Sequence, residues 1–83
     1  MTPPELRAAF VAEIAQVAPD IDPATVADTD HIQDDLGLDS MDVLNLVARL
    51  HERLGVAIPE AEYREIATPA RAVAYLSRSL DTT

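Results

Sequence analysis

The chain has 83 residues, a formal net charge of −9 and no cysteine. That length holds one small domain around one core, and the acidic balance repels phosphate backbones and argues against nucleic-acid binding. Without cysteine there is no disulfide and no thiol nucleophile, and a zinc site is disfavoured.

Only Phe10, Tyr63 and Tyr75 are aromatic, so the core must be built mostly from Leu, Ile, Val and Ala. This composition favours packed helices over a β-sandwich. The start Met1-Thr2-Pro3-Pro4-Glu5 lacks the pattern of a signal peptide, and no apolar run could span a bilayer. A single domain over residues 1–83, monomeric, cytoplasmic and not inserted in a membrane, is the expectation. The charge is uneven: residues 1–38 hold eight acids and one base, residues 39–83 seven acids and five bases. An acidic surface of this kind suits a partner with a basic one.

Thr2-Pro3-Pro4-Glu5 has the form of a capping box with proline at the first helical position. Leu6, Phe10, Ile14 and Val17 recur at helical spacing, which predicts a helix over 3–17 ended by Pro19. Residues 18–38 carry Pro19, Pro23 and six aspartates without a base, and they lack sustained periodicity. They read as a long surface loop anchored by Val26, Ile32, Leu36 and Leu38. From residue 40 the period returns, with Val43, Leu46, Val47, Leu50 and Leu54 on one stripe and Gly55 placed to stop the helix. Val56-Ala57-Ile58-Pro59 is a short apolar connection. Residues 60–66 suit a short helix with Tyr63 and Ile66 inward. Thr68-Pro69 opens a last helix marked by Val73, Leu76 and Leu80. The expected fold is all-α: a small four-helix bundle, three main helices and one short, with a long loop between helices 1 and 2.

The start of the second helix offers two capping residues side by side, Asp39 and Ser40. Asp39 is the better N-cap, since its carboxylate can accept from the N–H of Met41 or Asp42 and its charge suits the helix dipole. Ser40 then falls at the first helical position. Its hydroxyl is not needed for capping and faces solvent at an end that favours a phosphate group.

At these residues the sequence resembles a family. The run Asp34-Asp35-Leu36-Gly37-Leu38-Asp39-Ser40-Met41-Asp42 is similar to the attachment motif of acyl carrier proteins. Ile58-Pro59, the segment from Glu60 to Ile66, and the last helix with Tyr75-Leu76 also match the family, over about residues 5–80. The resemblance implies that Ser40 carries a covalent 4′-phosphopantetheine, supplied from coenzyme A by a phosphopantetheinyl transferase that also reads Asp39. It implies a non-catalytic carrier that holds acyl or related intermediates as a thioester and presents them to acyl-transferring, ligase or synthase enzymes.

Other readings of the same residues are weaker. A serine near a helix start is commonly a plain cap. Ser40 as a catalytic nucleophile lacks partners, because His31 and His51 are isolated and expected on the surface. Asp28-Thr29-Asp30-His31-Ile32-Gln33 opens like a calcium-binding loop. However, Ile32 stands where an oxygen ligand is needed, Gln33 replaces the glycine and Asp39 the bidentate glutamate. No metal site is expected.

Met41 lies opposite the core stripe, with Ala48 beside it and Leu44 at the margin, next to the attachment serine. Met41, Asp42, Leu44, Asn45, Ala48, Arg49 and Glu52 are the expected partner-binding face. Without phosphopantetheine the same face would make the chain an unmodified helical interaction module. Fatty-acid members of the family carry a strongly acidic second helix, whereas here that face reads Asp42, Asn45, Arg49, Glu52 and the acids sit in the loop. Met41 replaces the usual Leu, a volume-conserving change. Leu38 replaces a small residue common in fatty-acid carriers. These departures point to a carrier of a specialised lipid, polyketide-like or aminoacyl pathway, and a free-standing one is the expectation.

Overall fold

A computed structural model describes residues 1–81 of the chain. Helix α1 spans Pro3–Val17, α2 spans Ser40–Leu54 and α3 spans Pro69–Asp81. A 3-10 turn at Pro23–Thr25 and a 3-10 helix at Glu60–Ile66 complete the order, with no strand among the described residues. The fold is a small all-α bundle of three main helices and one short one.

Helix α1 begins where the capping box puts it. Thr2 Oγ1 accepts from the Glu5 amide at 3.3 Å, and the Glu5 carboxylate accepts from the Thr2 amide at 2.8 Å. The second bond, with the Thr2 hydroxyl beside it, holds the Glu5 carboxyl below its ordinary pKa. The buried face of α1 is wider than the expected stripe, taking in Ala9, Val11 and Glu13 with Leu6, Phe10 and Ile14, while Val17 is half-buried. The cause is position, because α1 packs against both α2 and α3. A helix between two neighbours must bury two sides.

Glu13 is the one buried charged residue among the described residues. Two arginines of α2 meet it: Arg49 Nε at 3.0 Å and Arg53 Nη1 at 3.8 Å. A buried carboxylate needs such counter-charges, since desolvation otherwise disfavours its charged form. This clamp holds α2 on α1 at a point that hydrophobic periodicity could not mark.

In α2, Val43, Leu46 and Leu50 are buried, with Val47 and Leu54 at the margin. Complete burial of a leucine such as Leu46 or Leu50 is worth about 1.5–3 kcal/mol. Gly55 ends the helix at φ 74°, and its amide donates to the His51 carbonyl at 2.8 Å. The short segment after it is helical as expected, but in 3-10 form. It is seven residues long, has no side-chain cap at Pro59, and is followed within three residues by Pro69. Ile66 is fully buried and Tyr63 only half-buried.

Helix α3 starts at Thr68, whose hydroxyl accepts from the Arg71 amide at 3.2 Å. Its innermost residues are Ala72, Tyr75 and Leu76, so the buried face is rotated from the expected one, and Val73 and Leu80 sit at its edge. Tyr75 Oη donates to the Glu62 carboxylate at 3.0 Å, which fastens the 3-10 helix to α3.

The loop 18–38 is ordered by contacts rather than by periodicity. Asp22 caps the 3-10 turn through the Ala24 amide, Asp30 accepts from the Ala27 amide, and Asp35 accepts from the His31 amide. These are the local turn bonds that make aspartate common in loops. Val26, Ile32 and Leu38 are buried and Leu36 partly so. Arg7 of α1 pairs with Asp28 and donates to the Val26 carbonyl at 2.7 Å. The Ile32 amide donates to the Ala67 carbonyl at 2.9 Å, and the Ala70 amide to the Asp28 carbonyl at 3.2 Å. The loop is therefore tied to both ends of the molecule's sequence.

Burial, with the Glu62 carboxylate alongside, pushes the Tyr75 phenol above its ordinary pKa near 10. The unfolded chain then loses this proton first, so stability is intact below about pH 10 and falls as pH rises toward the folded value. Urea titrations at about pH 9 and about pH 11 should show this loss in the native sequence and a smaller one in Tyr75→Phe.

Candidate functional site

Gly37 and Leu38 deliver the chain to α2. Gly37 takes φ 82°, a conformation that disfavours any residue with a Cβ, and its amide donates to the Gln33 carbonyl. Leu38 is buried, and its amide donates to the Ile32 carbonyl at 3.0 Å. Asp39 follows in an extended conformation as the N-cap.

The cap is reciprocal. Asp39 Oδ1 accepts from the Asp42 amide at 2.8 Å, and Asp42 Oδ2 accepts from the Asp39 amide at 3.3 Å. Asp42, expected on the partner face, is thus half of the capping box and half-buried. Both carboxylates satisfy amides that the helix end leaves without intrahelical partners. Ser40 stands between them at the first helical position, exposed, and no hydrogen bond engages its hydroxyl among the described residues.

The expected partner face is only partly one surface. At 100° per residue, Leu44, Ala48, Met41, Glu52 and Asn45 fall within about 100° of arc. All five are exposed, Met41 at 64% and Leu44 at 46%. Asp42 and Arg49 lie beyond the edge of that arc, and Arg49 points its Nε at Glu13.

Ser40 also borders a groove of about 540 Å³. Helix α2 has no close backbone packing against α3 or the 3-10 helix, so a seam remains between them. The seam is walled by Val43 and Leu44 on one side and by Tyr63, Arg64 and Arg71 on the other. His31 also lines it; it is half-buried rather than a surface residue, and its Nδ1 accepts from the Gln33 and Asp34 amides at 3.2 Å each. Sequence reading missed His31, Tyr63, Arg64 and Arg71 as neighbours of Ser40. They come from three segments joined by the Ile32–Ala67 hydrogen bond and by the packing of the 3-10 helix on α3, for which local pattern gives no signal.

A family model described as the phosphopantetheine attachment site matches residues 8–76. The acyl carrier protein of Wolinella succinogenes is 33% identical over 66 residues, covering 80% of this chain and 87% of its own. The chain belongs to the acyl carrier protein family. A solved structure of the acyl carrier protein from Enterococcus faecalis superimposes with a TM-score of 0.78 at 30% identity, covering 95% of this chain and 99% of the other. The mitochondrial acyl carrier protein of Neurospora crassa is 34% identical over 55 residues, which span 66% of this chain and 41% of that one. Members of this family are carriers rather than enzymes, and their cofactor is 4′-phosphopantetheine. The relatives include bacterial and mitochondrial forms. No helix among the described residues is long and apolar enough to cross a membrane.

If Asp39 holds the cap and Ser40 does not, their substitutions separate. Asp39→Ala should lower stability by about 1 kcal/mol and Asp39→Asn by only a few tenths. Ser40→Ala should stay within about 0.5 kcal/mol of the native sequence. Chemical denaturation checks all three, and a Ser40→Ala loss as large as that of Asp39→Ala would contradict the arrangement.

Proposed function

We propose that Ser40 is the residue esterified by 4′-phosphopantetheine and that the chain carries acyl or related groups as thioesters on that arm. The observation that carries this reading is the Ser40 hydroxyl, exposed and unbonded at the first turn of α2, within the stretch that matches the attachment-site family. The residues fit the group. Its phosphate would lie at the positive end of a helix whose Ser40 and Met41 amides have no acceptor among the described residues. In the transfer, the bond from phosphorus to the nucleotide part of coenzyme A breaks as the bond to Ser40 Oγ forms. The hydroxyl proton passes to a base on the transferase.

The surrounding surface supports a docking role. Met41 and Leu44 are large apolar side chains left exposed beside Ser40, with Asn45, Ala48 and Glu52 along the same face. Synthase, ligase, acyl-transferring and transferase enzymes would read that face, with Asp39 at its edge. The protein acts as a single-domain, monomeric cytoplasmic carrier, and its pathway is a specialised lipid, polyketide-like or aminoacyl one. The support for specialisation is the sparse acidity of α2, together with Leu38 and Met41 at their motif positions. An unmodified interaction module would use the same apolar face without the arm.

Intact mass after incubation with coenzyme A and a broad-specificity transferase decides between carrier and module. The expected outcome is one phosphopantetheine on the native sequence and none on Ser40→Ala. For the pathway, charging and elongation by a housekeeping fatty-acid synthase system should be well below those of that system's own carrier. Equal efficiency would remove the specialised assignment and leave the carrier role standing.

A further inference from the structure

The chain has six basic residues, all arginine, against fifteen acids. Four of the six have carboxylate partners: Arg7 with Asp28, Arg49 and Arg53 with Glu13, and Arg78 with Glu65 at 4.0 Å. Arg64 and Arg71 have none among the described residues. In so acidic a chain an arginine without a carboxylate is the exception, and both exceptions line the groove that Ser40 borders. They reach it from separate elements, Arg64 from the 3-10 helix and Arg71 from the first turn of α3.

We propose that this groove receives a cargo ending in an anion, a carboxylate-terminated acyl chain, with Arg64 and Arg71 as its counter-charges. The inference rests on the carrier reading and specifies its substrate class. The rest of the lining is mixed: Ile32, Val43, Leu44, Tyr63 and Ala67 give it apolar surface, and His31 and Gln33 are polar and formally uncharged. The groove therefore offers apolar contact for a carbon chain and two unpaired guanidinium groups for an anionic terminus. Glu60 stands on the same wall, so the groove keeps a formal excess of one positive charge within a chain of −9. Guanidinium groups present a planar fork that matches a carboxylate in two parallel hydrogen bonds.

The phosphodiester of the arm is the competing anion. It would sit on Ser40 itself, where the helix end already offers amides, and a phosphate alone would leave most of about 540 Å³ empty. Small-molecule sites occupy roughly 300–1,000 Å³. The groove fits a cargo folded back along the seam.

The test loads the protein with adipoyl or hexanoyl, six-carbon groups that differ by the terminal carboxylate. Two quantities are measured: the Nε–H resonances of Arg64 and Arg71, and the rate of thioester cleavage by hydroxylamine relative to the same thioester on free pantetheine. Adipoyl should move both resonances relative to hexanoyl. It should also be cleaved about two- to fivefold more slowly, the factor an exposed ion pair supplies. Arg64→Gln combined with Arg71→Gln should erase that difference, the adipoyl and hexanoyl rates being compared within the same variant. Equal rates with unmoved resonances overturn the proposal. So do resonances that shift with the unloaded arm and no further with adipoyl, since the pair then serves the phosphodiester. Failure of the carrier reading looks different, because no mass is added at Ser40. In that event free S-adipoyl- and S-hexanoyl-pantetheine, titrated into the unmodified protein, still test the groove. Preferential response to adipoyl supports it, and equal response overturns it.

Discussion

The reciprocal bond between Asp39 and Asp42 determines what Ser40 can be. In the commoner capping box a serine or threonine holds the cap and its hydroxyl is occupied; Thr2 does this for α1. At α2 the box is built from two aspartates, and the serine is displaced by one residue into the first turn. The helix end is stabilised just as well, while its hydroxyl is left unbonded. The two carboxylates also temper the site. A helix terminus attracts an anion by about 0.3–1 kcal/mol, and two acidic neighbours work against that attraction. An anion attached covalently needs no strong pull to stay, so a weak net field leaves an arm free to swing.

The same cap explains why the loop before α2 must be ordered. If the cap is to sit where a partner can find it, residues 31–38 must approach at one angle. Leu38 burial, the Gly37 turn and the Ile32–Ala67 hydrogen bond fix that approach. The anchors Val26, Ile32, Leu36 and Leu38 were legible because isolated apolar residues in an acidic loop have few uses besides the core. The hydrogen bonds were not legible. Arg7 to the Val26 carbonyl and Ala70 to the Asp28 carbonyl join residues 19 and 42 positions apart, and backbone carbonyls carry no sequence signature. Helix bounds fared better, since Pro3, Pro69, Gly55 and the cap residues act locally. The buried faces of α1 and α3 were understated because periodicity reports one stripe, whereas each helix meets more than one neighbour.

Glu13 shows how much a single buried charge can hide. As a sequence, α2 presents Arg49 and Arg53 on a polar face with Asp42 and Glu52. In three dimensions both arginines reach toward the Glu13 carboxylate. One of their two charges is balanced from within, so the face between Met41 and Glu52 is less basic than a residue count suggests. Electrostatic steering depends on the summed field, not on the letters of one helix.

The groove follows from the same division of labour. Helix α1 supplies the packing partner for α2 and for α3, which leaves α2 and the 3-10 helix facing each other without close backbone packing. A seam of this kind is tolerable in a small domain only if its two walls are held from behind. On one side Glu13 clamps α2 to α1. On the other, buried Ile66 and the Tyr75–Glu62 hydrogen bond hold the 3-10 helix to α3. The wall itself is the least rigid element available, since 3-10 hydrogen bonds have poorer geometry and Pro59 offers no side-chain cap. Fastening at Glu62 and Ile66 leaves Glu60 as the end with least restraint, and that end lines the groove. A cargo chain would therefore meet a wall able to adjust at its rim while the core behind it stays packed.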